Sequence, residues 1–163
     1  MVELMVAASL ITIGLLGIFS LIISSTRMNK DVVHRFEATY LAAEGIEIMK
    51  HIIDTNVAIP DTAFFNSTLN SGNYEIQYNT DKDNELTELG YASSTRALWL
   101  DREVTGLYSY REAGVETPYV RTVRVENEGD KITVQSIVEW SVGGEKNIAN
   151  LEEVFRNWRE TSL

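Results

Sequence analysis

From Leu4 to Thr26 the chain carries no charged residue, and this run of about 23 residues constrains everything else. As a helix rising ~1.5 Å per residue it spans roughly 35 Å, enough to cross a bilayer core of about 30 Å. A buried core helix of that length needs apolar cover on every side, which the rest of a 163-residue chain cannot easily supply. A cleaved secretory signal needs a basic segment ahead of a shorter apolar core, and here no base precedes the run. A retained membrane segment over 1–26 is therefore expected. Arg27 and Lys30 follow it, and the positive-inside rule taken alone puts them in the cytoplasm.

Within this rod, small residues such as Ser9, Gly14, Gly17 and Ser20 let helices approach closely in lipid. Gly14 and Gly17 each lower helix propensity by roughly 1 kcal/mol relative to alanine, so the helix could loosen locally there. Glu3 heads the rod as its lone carboxylate. It can rest among headgroups at a helix N-terminus, favoured by the dipole. Once the rod packs among other rods it must find a positive partner, because an unpaired buried charge is costly.

Past Thr26 the pattern turns amphipathic without a proline. Val33, Phe36, Tyr40 and Ala43 recur at spacings of three and four, and Leu41, Gly45, Ile48 and Ile52 form a second line, widened by Met49 and Ile53. One helix from about residue 3 to about residue 54 is predicted, close to 75 Å long at that rise. Asp54-Thr55-Asn56 and Pro60 end it.

Residues 55–73 are turn-rich, and Phe64 and Phe65 are expected to pack on the helix. Tyr74, Ile76 and Tyr78 alternate as in a strand. TDKDNELTELG reads as an acidic loop or short helix. Ala97–Leu100 and Leu107–Tyr110 are short apolar pieces. Tyr119–Glu126 and Lys131–Val142 are strands joined by an Asn127–Asp130 turn. Gly143-Gly144 is a second tight turn. The tail 146–159 is ambiguous: Ile148, Leu151, Val154, Phe155 and Trp158 fit a helix, but the hairpin rhythm favours a third antiparallel strand to about Glu153, then an irregular end. The predicted fold is α+β: a long N-terminal helix whose second half, 27–54, packs on a C-terminal antiparallel sheet within 55–163. The expected helix–sheet core is Phe36, Tyr40, Ile48, Ile52 and Trp140.

Composition excludes several functions. There is no cysteine, hence no thiol catalyst, disulfide or cysteine-based zinc site, and the net charge of −10 disfavours general nucleic-acid binding. The chain has no phosphate loop, GxSxG or HExxH motif. His34 and His51 are too far apart along one helix to share a metal, and read as surface or partly packed residues. Asp81, Asp83 and Glu85 offer oxygens at alternating spacing, but lack the glycine and distal glutamate of an EF-hand. A solvated acidic loop is expected there, with a weak Ca²⁺ site as the alternative. Asn66-Ser67-Thr68 is a glycosylation sequon. No catalytic constellation and no cofactor are expected; the chain reads as a non-enzyme.

VELMVAASLITIGLLGIFSLI resembles the N-terminal segment of type IV pilins and pseudopilins. YLAAEGIEIMKHIIDTN and NLEEVFRNWRE are similar to the helix continuation and chain end of pilins from Gram-positive-like or candidate-phylum bacteria. The family bears a glutamate at its fifth mature position, and Glu3 matches it if two residues are absent before Met1. The C-terminal cysteine pair of many pilins is missing, as is the proline often found in the N-terminal helix. The resemblance implies leader cleavage and N-terminal methylation by a prepilin peptidase, and storage as a single-pass membrane protein. It further implies assembly by pilus machinery into a helical homopolymer at the cell surface, for attachment, motility or uptake. It assigns filament assembly to Glu3, whose carboxylate pairs with a neighbour's N-terminal amine, and any loosening of the rod to Gly14 and Gly17. Family topology places the N-terminus inside and Arg27 and Lys30 outside, which we adopt over the charge rule. Alternatives are a pseudopilin of a type II secretion or DNA-uptake machine, and an anchored binding protein that does not polymerise.

Overall fold

The computed structural model describes residues 1–58, 69–80, 86–103, 105–112, 114–129 and 131–156. One long helix, α1 (Val2–Ala58), precedes seven strands: β1 (Gly72–Glu75), β2 (Thr87–Gly90), β3 (Ala97–Leu100), β4 (Tyr108–Ser109), β5 (Val115–Asn127), β6 (Lys131–Val142) and β7 (Glu145–Arg156). This is the α+β arrangement of a type IV pilin-like fold. The chain divides into two compact units, Met1–Phe36 and Glu37–Leu163. The division falls ten residues beyond the compositional boundary at Thr26, because Ala38 is the first fully buried side chain along α1.

The first unit is helix alone. It is long and apolar enough to cross a membrane, and none of its most apolar window is buried. Its hydroxyls turn inward on the backbone: Ser9 Oγ donates to Met5 O at 2.7 Å and Thr26 Oγ1 to Ile22 O at 2.9 Å, while Thr12 Oγ1 donates to Ala8 O. Such bonds satisfy these polar groups within the helix itself. The helix runs unbroken through Gly14 and Gly17. Continuous backbone bonding along neighbouring strong helix formers offsets two weak positions.

The second unit contains residues 37–58 of α1 and the sheet. The helix runs about one turn past the expected end at Asp54, and Thr55 Oγ1 donates back to His51 O at 2.7 Å. All strand pairs are antiparallel. β5 is central: β6 pairs along one edge, while β3 and β1 share the other, with β4 outside β3 and β2 outside β1. β7 pairs β6 in unbroken register from Lys131↔Arg156 to Val142↔Glu145. Gly143 and Gly144 close that hairpin at φ 62° and 88°, the left-handed pair that a two-residue turn requires.

Several elements differ from their expected form. TDKDNELTELG is neither loop nor helix over its second half, since Thr87–Gly90 pairs with β1 as a strand; 81–85 lie outside the described residues. β1 covers only Gly72–Glu75, all four buried, and Tyr78 lies beyond it, exposed. β7 runs on to Arg156, past the expected end at Glu153. Phe64 and Phe65 lie outside the described residues.

β6 buries every second residue, which sends Ile132, Val134, Ser136, Val138 and Trp140 toward the helix. Two apolar clusters result. One joins Ile46, Met49, Ile52 and Ile53 to Tyr74, Ile76, Val123, Val125, Ile132 and Val134. The other joins Ala38, Leu41 and Ala42 to Leu98, Tyr119, Val138 and Trp140. Full burial of such aliphatic side chains stabilises by roughly 1.5–3 kcal/mol each.

The expected helix–sheet core needs correction. Phe36 and Tyr40 are 63% and 74% exposed, so neither packs on the sheet. Ile48 is partly buried against the first cluster, Ile52 is buried within it, and Trp140 belongs to the second. The inward face of α1 is the neighbouring line, Ala38, Leu41, Ala42, Gly45, Ile46, Met49 and Ile52. Small residues on that line let helix and sheet approach closely, which rings of phenylalanine and tyrosine would prevent.

Candidate functional site

Two features stand out, one in each unit. The first is the bare surface of α1 in Met1–Phe36. Leu4, Leu10, Ile11, Ile13, Leu16 and Phe19 are all between 59% and 77% exposed. Glu3 sits in the first turn, where the helix dipole favours a carboxylate. Gly14 and Gly17 lie on open surface, where an added Cβ would meet nothing within 4 Å. The exposed apolar surface continues past the uncharged run through Met28, Val32, Val33 and Phe36. The structure therefore brings Glu3, Gly14 and Gly17 together only in the sense that all three lie exposed on one helix.

The second feature is a polar layer between the two apolar clusters of the body. Arg121 points inward from β5, fully buried. Its Nη1 donates to Glu44 at 2.8 Å and to Leu41 O at 3.0 Å, and its Nη2 donates to Ile76 O at 2.6 Å. Arg121 Nε and Ser136 Oγ are buried without a hydrogen-bond partner among the described residues. Gly45 makes room for both neighbours, since a Cβ there would lie 2.4 Å from Ser136 Oγ and 3.3 Å from Arg121 Cδ. Glu75, buried in β1, is held by Ser94 Oγ at 2.6 Å and by Arg96 Nη1 at 3.0 Å.

Two tyrosines border this layer. Tyr110 donates its hydroxyl to Arg121 O at 2.9 Å, and burial pushes its pKa up to about 12 against the pull of the nearby Arg121 charge. Tyr119 donates to the Glu37 carboxylate. Burial raises its pKa well above the ordinary value, and that hydrogen bond raises it further. Both hydroxyls are protonated and neutral near pH 7, and each donates its proton in a hydrogen bond. The arrangement holds a helix on a sheet.

Among the described residues no three His, Asp or Glu side chains cluster to hold a metal. Asp81, Asp83, Glu85 and Asn66 lie outside the described residues. His51 is exposed and His34 half-buried, as surface or partly packed residues. A groove of about 570 Å³ near the ends of β3 and β5 is lined by Tyr78, Arg102, Glu103, Ser109 and Arg111. Asp101 at its wall is engaged with its own loop, accepting from Glu103 N at 3.2 Å and from Thr105 Oγ1 at 3.2 Å.

Arg121 and Glu44 are the residues that sequence reasoning missed, whereas Gly45 already stood on the second apolar line of the helix. The signal was present: Arg121 lies between Tyr119 and Val123 at the parity of inward positions, on a strand otherwise read from Val123 and Val125.

Fold and sites together define an α+β protein with a membrane-length apolar helix and a body built for packing. Comparison with protein-family models, with curated proteins and with solved structures returns no match.

Proposed function

We propose that this chain is a structural subunit of a type IV pilus filament, polymerising through the apolar half of α1. The observation that carries the reading is the first unit itself: a helix uncharged from Leu4 to Thr26, whose most apolar window has no buried part among the described residues. Such a surface is tolerated only in lipid or against other copies of itself. In the proposed cycle the subunit waits as a single-pass membrane protein with its body outside. A prepilin peptidase processes it and pilus machinery extracts it. Neighbouring rods then replace lipid contact with apolar contact of equal quality. The role is structural, with no cofactor and no catalysis, and the filament stands at the cell surface for attachment, motility or uptake. The resemblance of residues 2–22 to pilins and the pilin-like α+β arrangement both support this reading.

The test images filaments sheared from cells expressing the full chain and identifies their subunit by mass. Long filaments built of this chain, greatly reduced in Glu3→Ala cells that still carry the subunit in the membrane, are expected. A subunit that stays monomeric in detergent, with no surface filament and no dependence on Glu3, would leave only the anchored binding protein. Assembly confined to short stubs would favour a pseudopilin.

A further inference from the structure

On the outer face of the sheet, turned away from α1, a cluster of side chains is held in place that polymerisation through the rod does not use. β2 runs into a turn closed by Ala92 N donating to Leu89 O at 3.3 Å, with Gly90 at φ 63°. That turn lifts Tyr91 off the sheet. At 88% exposure it is the barest large apolar side chain of the body among the described residues. Asn73 on β1, by contrast, is only 2% exposed and spends both ends of its amide. Its Nδ2 donates to Ala92 O at 2.9 Å, and its Oδ1 accepts from Arg124 Nε at 3.3 Å. One buried amide thus fixes the tyrosine turn on one side and an arginine of β5 on the other.

Between them lies a groove of about 330 Å³. Arg124 and Glu126 both line it, on one face of β5 and two residues apart, hence about 7 Å from one another. Among the described residues, the Nη nitrogens of Arg124 and the carboxylate of Glu126 make no hydrogen bond or ion pair. A guanidinium only donates and a carboxylate only accepts, whereas a hydroxyl does both. Neighbouring hydroxyls of one ring can therefore accept from Arg124 and donate to Glu126. The Tyr91 ring offers a flat apolar surface to the C–H face of that same ring. A phosphate or sulfate would meet the Glu126 charge on a chain of net charge −10, and a basic group would meet Arg124.

We propose that this groove holds one neutral pyranose unit of a glycan, stacked on Tyr91 and bridged between Arg124 and Glu126. Asn73 is a positioning residue, which fixes the groups that touch the sugar. The site lies wholly in the body, so it stands or falls separately from polymerisation of the rods.

Saturation-transfer NMR on the full chain in a sugar-free zwitterionic detergent tests this, with maltotetraose, cellotetraose, chitotetraose and mannotetraose as probes. Transfer to ring C–H protons of at least one probe is expected. Tyr91→Ala, Arg124→Ala and Glu126→Ala should each weaken its binding about tenfold, through loss of one ring contact or one charged hydrogen bond. Tyr91→Phe keeps the ring and should bind within about threefold of the native chain. Lys131→Ala, on the same sheet outside the groove, should change nothing. The side chains of Tyr91 and Glu126 are exposed, so their variants decide the matter even if Arg124→Ala does not fold. No transfer to any of these probes overturns the proposal, as does binding that survives Tyr91→Ala or Glu126→Ala. Binding confined to an acidic probe, tetragalacturonate, and lost only in Arg124→Ala also overturns it and marks an anion site instead.

Discussion

The Arg121 guanidinium, with no exposed surface, meets the Glu44 carboxylate at 2.8 Å, bridging strand β5 to the inward face of helix α1. The pair lies between the two apolar clusters, so the body's core is two layers of hydrocarbon separated by one of charge. The Glu44 side chain keeps 29% of its exposure, which makes the pair asymmetric. Loss of the acid strands a buried cation, whereas loss of the cation leaves an acid that water can reach.

Glu44→Gln should therefore destabilise the body by about 3 kcal/mol, in the range for breaking a buried pair from one side. Arg121→Met, a shape-filling apolar exchange, should cost less, and the double variant should be more stable than Glu44→Gln alone. Thermal unfolding of the full chain in detergent, followed by near-ultraviolet circular dichroism, gives the order. Equal losses in both single variants would show that the pair is not asymmetric.

Gly45 lies where helix and sheet come closest. Gly45→Ala places a methyl 2.4 Å from Ser136 Oγ and should cost about 1–3 kcal/mol through overpacking. Ser136→Ala removes a buried hydroxyl that lacks a partner among the described residues, so by itself it should be neutral or stabilise by up to about 1 kcal/mol. The double variant should recover part of the Gly45→Ala loss, a coupling measured by a double-mutant cycle. Strict additivity would mean the contact is not the source of the strain.

Alkaline unfolding should follow Tyr110 and Tyr119. Their folded pKa values are raised above the ordinary phenol value near 10, to about 12 for Tyr110. The folded state thus holds protons that the unfolded state has released. Stability from these groups is complete below pH ~10 and falls as pH rises toward the folded values, by about 1.4 kcal/mol per pH unit for each group. Melting temperatures should be flat from pH 7 to 9 and drop steeply from 10 to 12. Tyr119→Phe should make that drop shallower. An unchanged slope in this variant would remove Tyr119 from the account.

A fragment of residues 27–163 should be soluble, folded and monomeric, because both apolar clusters draw only on residues from Ala38 onward. Circular dichroism should show helix and strand together, and sedimentation a single small species. An unfolded fragment would show that the body needs the rod. Long filaments from it would show that rods are not the polymer core.

How much of this was legible beforehand depends on the range of the interaction. The uncharged run Leu4–Thr26 fixed the rod unaided, because helix propensity and hydropathy are local, and a chain of this size offers no cover for such a surface. Strand β6 and its turn were equally legible, because alternation from Ile132 to Trp140 and Gly143-Gly144 are patterns within a few residues, whereas the apolar spacing of β7 also fits a helix and pairing with β6 decides it. Tertiary structure alone decided which of two adjacent stripes on α1 turns inward. Phe36 and Tyr40 have the right spacing, but the small residues Ala38, Ala42 and Gly45 permit closer contact and more burial. It alone turned Thr87–Gly90 into a strand, by offering β1 as a partner to a segment with little strand character of its own. And it alone joined Arg121 to Glu44 across the fold. A buried cation is tolerated only where an anion and carbonyl oxygens converge on it, and that convergence exists only once the chain is packed.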